Sequence, residues 1–454
     1  MISIEQPILT EEDIAQKTVN ETNLDAEQSF NWKHCWYPVA FIQDLPKNRP
    51  YSFSLYDEPY VLFRNQDSKL ICLTDRCPHR AARLSDGQII DGKLECLYHG
   101  WQFGIDGQCL HIPQLPADAK IPAKACVRSF KLVERQGIVW MWPGETEIAQ
   151  EESIPTIPDL DNPEFVTTDY MCDLPHDQSY FIENVLDPAH AHISHHGSIS
   201  NRKNAQPLEM EVIESSHKGI FGRMRNAGDP NKPWTPVDFV APNLVYYRFS
   251  IEARGWFGGV VFYSIPLSQN RCRVLVRNYR NFFTWKLKLT PRTLDHWLRS
   301  RVLEEDLPQI LGEKAEIERL DKPMKEVFLP LKTSDLFVIE YRKWLDKFGI
   351  YLPFYQGYET AKLTDDSSKC HQEPALQDRF SRHTQICSSC NRAYQVTNKL
   401  KQAAVGVAIA FAALGIVTDG FASTMAVSAA LLAVALAVVA AQAKTKFERS
   451  YTRH

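Results

Sequence analysis

The sequence predicts an α+β protein: a small all-β domain, a larger α+β domain and a C-terminal pair of apolar helices. Three observations predict it. Short alternating apolar runs, broken by turn signals, fill residues 32–144. Strand-like runs and one long helical stretch share residues 164–352, a mixture typical of α+β architecture. Residues 402–442 are then almost wholly apolar, which a mean hydropathy of -0.31 conceals by averaging.

A chain of 454 residues with ordinary apolar and charged fractions has room for two or three cored domains, which excludes disorder as the main state. The net charge is only -4 and both signs are mixed along the chain, so no broad basic face offers itself to nucleic acid. Eleven cysteines at irregular spacing do not form the framework of a small disulfide scaffold. Reduced thiols and metal ligation are the better reading. Residues 1–30 form an acidic tail (Glu11, Glu12, Asp13, Glu21, Asp25, Glu27) without the basic start and apolar stretch of a secretory signal. An organelle transit peptide would be acidic-poor, so here it is either lacking or already trimmed.

In chain order, residues 31–145 form the all-β domain, with strands at 60–63 and 70–73 and turns at 65–68, 91–92 and 106–107. It closes on residues 137–144, a strand ended by Pro143-Gly144. Residues 146–163, acidic and carrying Pro155, Pro158 and Pro163, read as a linker. The second domain, 164–352, holds strands at 244–251, 256–265 and 272–279 and a helix at 293–320. Residues 353–398 are polar and lose periodicity. Residues 399–454 carry two apolar runs, 403–417 and 421–441, joined by Thr418-Asp419-Gly420. A span needs roughly 20 apolar residues, so the second run qualifies and the first is short. Lys399 and Lys401 before the pair, with Lys444, Lys446 and Arg449 after it, place both ends on a cytoplasmic-type face. The alternative is an alanine-rich soluble helical pair.

Two loops carry the strongest motif: Cys77-Pro78-His79-Arg80 and Cys96-Leu97-Tyr98-His99-Gly100-Trp101, a C-x-H and a C-x-x-H sixteen residues apart. Two thiolates on one iron and two neutral imidazoles on the other make a [2Fe-2S] centre of raised potential. A two-Cys, two-His zinc site is the rival, but such sites usually pair Cys with Cys and His with His.

A second cluster, Asp187-Pro188-Ala189-His190-Ala191-His192-Ile193-Ser194-His195-His196, matches D-x-x-H-x-x-x-x-H. Two histidines and a carboxylate leave positions open for O2 and substrate on a mononuclear Fe(II). His190 and His195 are the expected ligands, with His192 and His196 a competing pair at helical spacing. Read as structure alone, Asp187 ahead of Pro188 is a cap. For the third ligand, Asp306 shares the apolar stripe of its helix with Val302, Leu303 and Ile310, whereas Glu305 lies beside Arg301 and Gln309. Asp335, ahead of a strand-like run at 336–339, is the runner-up. Cys387-x-x-Cys390 stays open three ways: a redox dithiol, half of a zinc site completed by Cys370, His371 or His383, or neither.

Pro78, Arg80, Tyr98, Gly100 and Trp101, together with the closing Gly-Ile-Val-Trp-Met-Trp-Pro-Gly, resemble the Rieske domain of ring-hydroxylating oxygenases. Leu97 stands where proline is common. In order, the Rieske motif, D-x-x-H-x-x-x-x-H, the Asp306 helix, the C-x-x-C and the apolar hairpin make the chain after residue 30 similar to the pheophorbide a oxygenase group of chloroplasts and cyanobacteria. The resemblance implies a helix-grip-like catalytic domain and one [2Fe-2S] cluster on Cys77, His79, Cys96 and His99. It also implies one mononuclear Fe(II) on His190, His195 and Asp306. Asp187 is then expected to bond the first iron histidine and to bridge toward a cluster histidine of a neighbouring subunit in a homotrimer. The expected activity inserts oxygen from O2 into a chlorophyll-derived tetrapyrrole, with electrons from a ferredoxin-type donor and with Cys387 and Cys390 answering to thioredoxin. The hairpin would hold the iron domains on the cytoplasmic or stromal face of a plasma or thylakoid membrane, in contact with lipid. Two rivals remain: a Rieske oxygenase acting on another hydrophobic or quaternary-amine substrate, and a membrane-bound Rieske electron carrier or redox sensor without catalytic iron.

Overall fold

The computed structural model describes residues 30–228, 232–360 and 378–451; most of the acidic tail, Cys370 and His371 lie outside them. The alternating runs of the first domain become ten strands: β1 (Tyr37–Phe41), β2 (Tyr51–Leu55), β3 (Glu58–Arg64), β4 (Leu70–Thr74), β5 (Gln88–Ile90), β6 (Lys93–Glu95), β7 (Gln102–Phe103), β8 (Cys109–His111), β9 (Ser129–Arg135) and β10 (Ile138–Trp142). Six of them form a sheet in the order β1-β10-β9-β4-β3-β2, and β5 to β8 form a small four-stranded sheet in sequence order. The two motif loops leave β4 and β6. Both root in one core, where Cys77 and Cys96 pack with Val61, Phe63, Leu73, Leu84, Leu94 and Phe103. The linker is not structureless: it winds through three short 3-10 turns between Thr146 and Asp161.

The second domain is a seven-stranded antiparallel sheet: β11 (Val166–Leu174), β12 (Leu208–Ser216), β13 (Gly219–Asn226), β14 (Thr235–Val240), β15 (Leu244–Ile251), β16 (Trp256–Ser268) and β17 (Arg271–Arg280). Its order is β11-β17-β16-β15-β14-β13-β12, so β11 and β12 are the edges. The helices of this domain are α1 (Gln178–Leu186), α2 (Ala191–Ser194), α3 (Thr284–Leu289), α4 (Arg292–Leu320), α5 (Met324–Val327) and α6 (Leu336–Phe348). The α4 helix ends at Asp321 in the left-handed conformation, and Pro308 lies inside it, where the ring removes the bond to the Glu304 carbonyl.

One expectation fails here. The apolar run at 336–339 is the first turn of α6, not a strand, with Asp335 as its N-cap. The burial of Phe337, Val338, Tyr341, Trp344, Leu345 and Phe348 follows a helical period that four residues cannot reveal. This face packs on the sheet with Phe181, Phe239 and Val274. The two domains share a core in which Trp140 meets Tyr263 edge to face at 5.7 Å and the Asn243 amide donates to the Trp36 carbonyl at 2.8 Å.

The apolar runs form two antiparallel helices, α7 (Ser388–Val417) and α8 (Gly420–Glu448). Both are long and apolar enough to cross a membrane, and most of their side chains are uncovered by protein. They meet along small residues, Ala404 and Ala408 against Ala426, Ala433 and Ala440, which let the backbones approach closely. At Gly415 any side chain would press on Val427, while its carbonyl accepts from Ser423 Oγ at 2.8 Å. The α7 helix begins well before the apolar run, so the end of the polar segment, residues 388–398, belongs to it.

Candidate active site and metal centres

The two motif loops are tight turns, closed by Ala81 N to the Cys77 carbonyl (2.9 Å) and Gly100 N to the Cys96 carbonyl (2.8 Å). Gly100 takes φ +74° at a point where any side chain would strike Pro113. Both cysteines are buried, whereas His79 is exposed and His99 half-buried, their rings 4.5 Å apart and His79 stacked on Trp101 at 4.7 Å. Buried thiols and outward imidazoles suit a [2Fe-2S] cluster, which Cys77 and Cys96 would hold by one iron and His79 and His99 by the other. Among the described residues, two sets of His, Cys, Asp or Glu converge closely enough to hold a single ion, and these four are not one of them. That disfavours the single-zinc reading.

One of the two convergent sets is His190, His195 and Asp306. His190 begins α2 and His195 ends it, so a single turn aims both rings at α4. Asp306 Oδ2 lies 3.2 Å from His195 Nε2 and 3.8 Å from His190 Nε2. Three donors of this type on one side of a point leave the other side open. Each histidine is also held from behind. His190 Nδ1 donates to the Asp187 carbonyl at 2.5 Å, with the Asp187 carboxylate 3.6 Å away. The same carboxylate accepts from Ala189 N at 2.9 Å, so Asp187 caps this turn and orients the imidazole together. His192 and His196 are used otherwise, bonded to Ser200 Oγ and Arg202 N.

Glu305 lies beside Arg301, as its helical spacing implies, and has a further role that the spacing does not show. It is buried, and it accepts from His195 Nδ1 at 3.1 Å, from Ser198 Oγ at 2.7 Å and from Arg301 Nε at 3.0 Å. Burial pushes its carboxyl up, but these three partners outweigh burial and hold it below the usual range. The signal was an acid beside an acid on a helix buried on two faces, which apolar periodicity does not score. Asp335 lines the same cavity from the N-cap position of α6, but its carboxylate turns back on the preceding loop, accepting from Leu331 N at 2.7 Å and Ser334 Oγ at 2.6 Å.

A cavity of about 550 Å3 opens from the convergent set, between Asp306, Gln309, Ile310 and Glu313 of α4 and Phe328, Val338 and Ile339 opposite. Burial and the neighbouring Glu183 carboxylate push Glu313 up to about 7. Cys387 and Cys390 lie far along the chain from this site but close to α4, buried at the start of α7.

An all-β ligand domain feeding an α+β domain with a two-histidine, one-carboxylate face defines a Rieske non-haem iron oxygenase. The comparisons agree: residues 35–131 match the Rieske [2Fe-2S] domain, and residues 239–323 match the pheophorbide a oxygenase model. The chain is 34% identical to Protein TIC 55, chloroplastic, of Pisum sativum, over 86% of this chain and 76% of that one. It is 31% identical to pheophorbide a oxygenase, chloroplastic, of Oryza sativa subsp. japonica, over 94% and 85%. Among solved structures, dicamba monooxygenase bound to dicamba superposes with a TM-score of 0.58 at 25% identity, covering 69% of this chain and 96% of that one. This chain belongs to the pheophorbide a oxygenase family of Rieske proteins. It carries one [2Fe-2S] cluster and one mononuclear non-haem iron.

Proposed function

We propose that this oxygenase inserts oxygen from O2 into a chlorophyll-derived tetrapyrrole, of the pheophorbide or chlorophyllide kind, with electrons from a ferredoxin-type donor. The observation that carries the proposal is the convergence of His190, His195 and Asp306 at the mouth of a cavity with an apolar wall. A pure electron carrier has no use for such a set. Relatives named pheophorbide a oxygenase and chlorophyllide a oxygenase support the substrate class.

In this reading the mononuclear iron, when bound, activates O2 with electrons delivered by the cluster. His79 and His99 offer the outer edge of the cluster to the donor or to the next subunit of a homotrimer, where Asp187 lies on the receiving side. Glu305 and Asp187 fix the two ring nitrogens that face away from the iron, so that the inner nitrogens stay unprotonated and aimed. Phe328, Val338 and Ile339 exclude water from the cavity wall and take the flat face of the macrocycle. Glu313, whose carboxyl is pushed up to about 7 by burial and by Glu183, carries less negative charge near neutrality than an ordinary carboxylate and so repels an anionic substrate less. The hairpin sits in lipid with both ends on the stromal or cytoplasmic face, which places the cavity beside a membrane-derived substrate.

The test uses the full chain in detergent with reduced ferredoxin, its reductase, O2 and pheophorbide a or chlorophyllide a. Loss or shift of the macrocycle absorption, coupled to O2 uptake, supports the proposal. A protein holding three irons per chain that leaves both pigments unchanged has another substrate. One holding only two irons is an electron carrier.

A further inference from the structure

The second convergent set among the described residues lies outside the oxygenase site and is formed by His296, His383, Cys387 and Cys390. The four come from three elements: His296 from the first turns of α4, His383 from a π-helical turn at Phe380–Thr384, and the two cysteines from the start of α7. All four are 98–99% buried. Their facing atoms are His296 Nδ1, His383 Nε2 and the two Sγ, all within 4.8 Å of one another.

The geometry points to a structural zinc ion bound by His296, His383, Cys387 and Cys390, clamping the base of the membrane hairpin to the catalytic domain. With Zn–S near 2.3 Å and Zn–N near 2.05 Å, a tetrahedral ion requires edges of about 3.3 Å for N to N and about 3.6 Å for N to S. The protein shows 3.2 Å between the two nitrogens. Three of the four nitrogen to sulfur edges are 3.3 Å for Cys387 with His296, 3.3 Å for Cys390 with His383 and 3.6 Å for Cys390 with His296.

The outer ring nitrogens show the same design. His296 Nε2 lies 2.7 Å from the Asp169 carbonyl and His383 Nδ1 lies 2.6 Å from the Met171 carbonyl. Carbonyls only accept, so both outer nitrogens carry the hydrogen. The inner nitrogens of the neutral rings therefore present lone pairs to each other, and that is the tautomer a metal requires. Asp169 and Met171 are two residues apart on the edge strand β11, so both carbonyls come from its unpaired side. Two thiolates neutralise Zn2+, which lets a buried site carry no net charge, and binding releases the two thiol protons. Asp44 of the β domain completes the frame. Its carboxylate accepts from Ser388 N at 2.9 Å, between the two cysteines, and from Arg292 Nη2 at 2.6 Å.

The rival is a dithiol that exchanges with thioredoxin, and burial opposes it, since thiol exchange needs an exposed sulfur. The pattern C-x-x-C gave half of this site from sequence. His296, ninety-one residues upstream, could not be found that way.

The experiment is elemental analysis of the full chain, purified in detergent under reducing conditions from medium containing zinc and iron. One zinc per chain beside three irons is expected. Cys390→Ser and His383→Ala should each lower zinc at least tenfold while the cluster spectrum persists, and Asp306→Ala should keep zinc and lose iron. Growth on cobalt should yield the red absorption of tetrahedral thiolate-bound Co2+ in the wild type, which decides the matter even where a variant fails to fold. A wild-type chain with less than one tenth of a zinc and no such cobalt spectrum overturns the assignment. So does zinc that survives Cys390→Ser, or that leaves with Asp306→Ala.

Discussion

His195 stands between two consecutive carboxylates, with Nδ1 3.1 Å from Glu305 and Nε2 3.2 Å from Asp306. Side chains one residue apart on a helix normally point about 100° away from each other. Here the imidazole reaches into the angle between them. Glu305 faces the outer nitrogen of the ring and Asp306 the inner one.

Glu305→Gln should therefore weaken iron retention without touching the cluster. The amide can reverse the hydrogen bond and favour the wrong tautomer of His195. Loss of such a supporting partner typically costs 10- to 100-fold in metal affinity. Iron per chain after dialysis against a weak chelator measures it, with the visible spectrum of the cluster as internal control.

Asp306→Ala should lose the third iron outright and keep that spectrum. Asp335→Ala should keep all three irons and lose about 1 kcal/mol of stability through the lost bonds to Leu331 N and Ser334 Oγ. If iron follows Asp335 instead, the choice of ligand is wrong.

The pH response of stability should carry a mark of Glu313. Its proton is held by burial and by Glu183, with Arg342 and Asp187 also facing the group, and its pKa rises from 4.5 to about 7. The folded protein then binds this proton more tightly than the unfolded one, so the contribution is full below pH 4.5 and is lost as pH rises to about 7. Glu313→Gln should flatten that part of the profile and raise the melting temperature at pH 8. A calorimetric series from pH 5 to 8 checks it.

Glu304 ties two segments to α4, the turn around Phe380–Thr384 and the chain after α8. It accepts from Arg379 (2.5 and 2.9 Å), Arg382 (3.0 Å) and Tyr451 N (2.7 Å) while almost fully buried. Glu304→Ala leaves two buried guanidinium groups without their anion and should cost roughly 3–5 kcal/mol. Urea unfolding in detergent should show an earlier midpoint, and Glu304→Gln should recover only part of the loss.

What could be read beforehand divides by the range of the physics. The cluster loops, the strand at 244–251 and the α4 helix are written in local spacing and periodicity, and they stand where expected. That Asp306 would face inward was legible because an acid on an apolar stripe needs a reason, and it lies beside His190 and His195. The first turn of α6 was misread because an apolar run of four residues has no period. Glu305 and His296 are set by what packs against α4 from elsewhere in the chain, and no window along the sequence contains those partners.

Pro308 gives the 29-residue α4 a weak joint half a turn beyond Asp306. The half before it is bolted through His296 and Glu304 to the base of the hairpin, and the half after it lines the cavity with Gln309, Ile310 and Glu313. The missing bond at that point lets the helix bend most easily between the part tied to the hairpin and the part that lines the cavity, so the two ends of one helix need not move as a single rod.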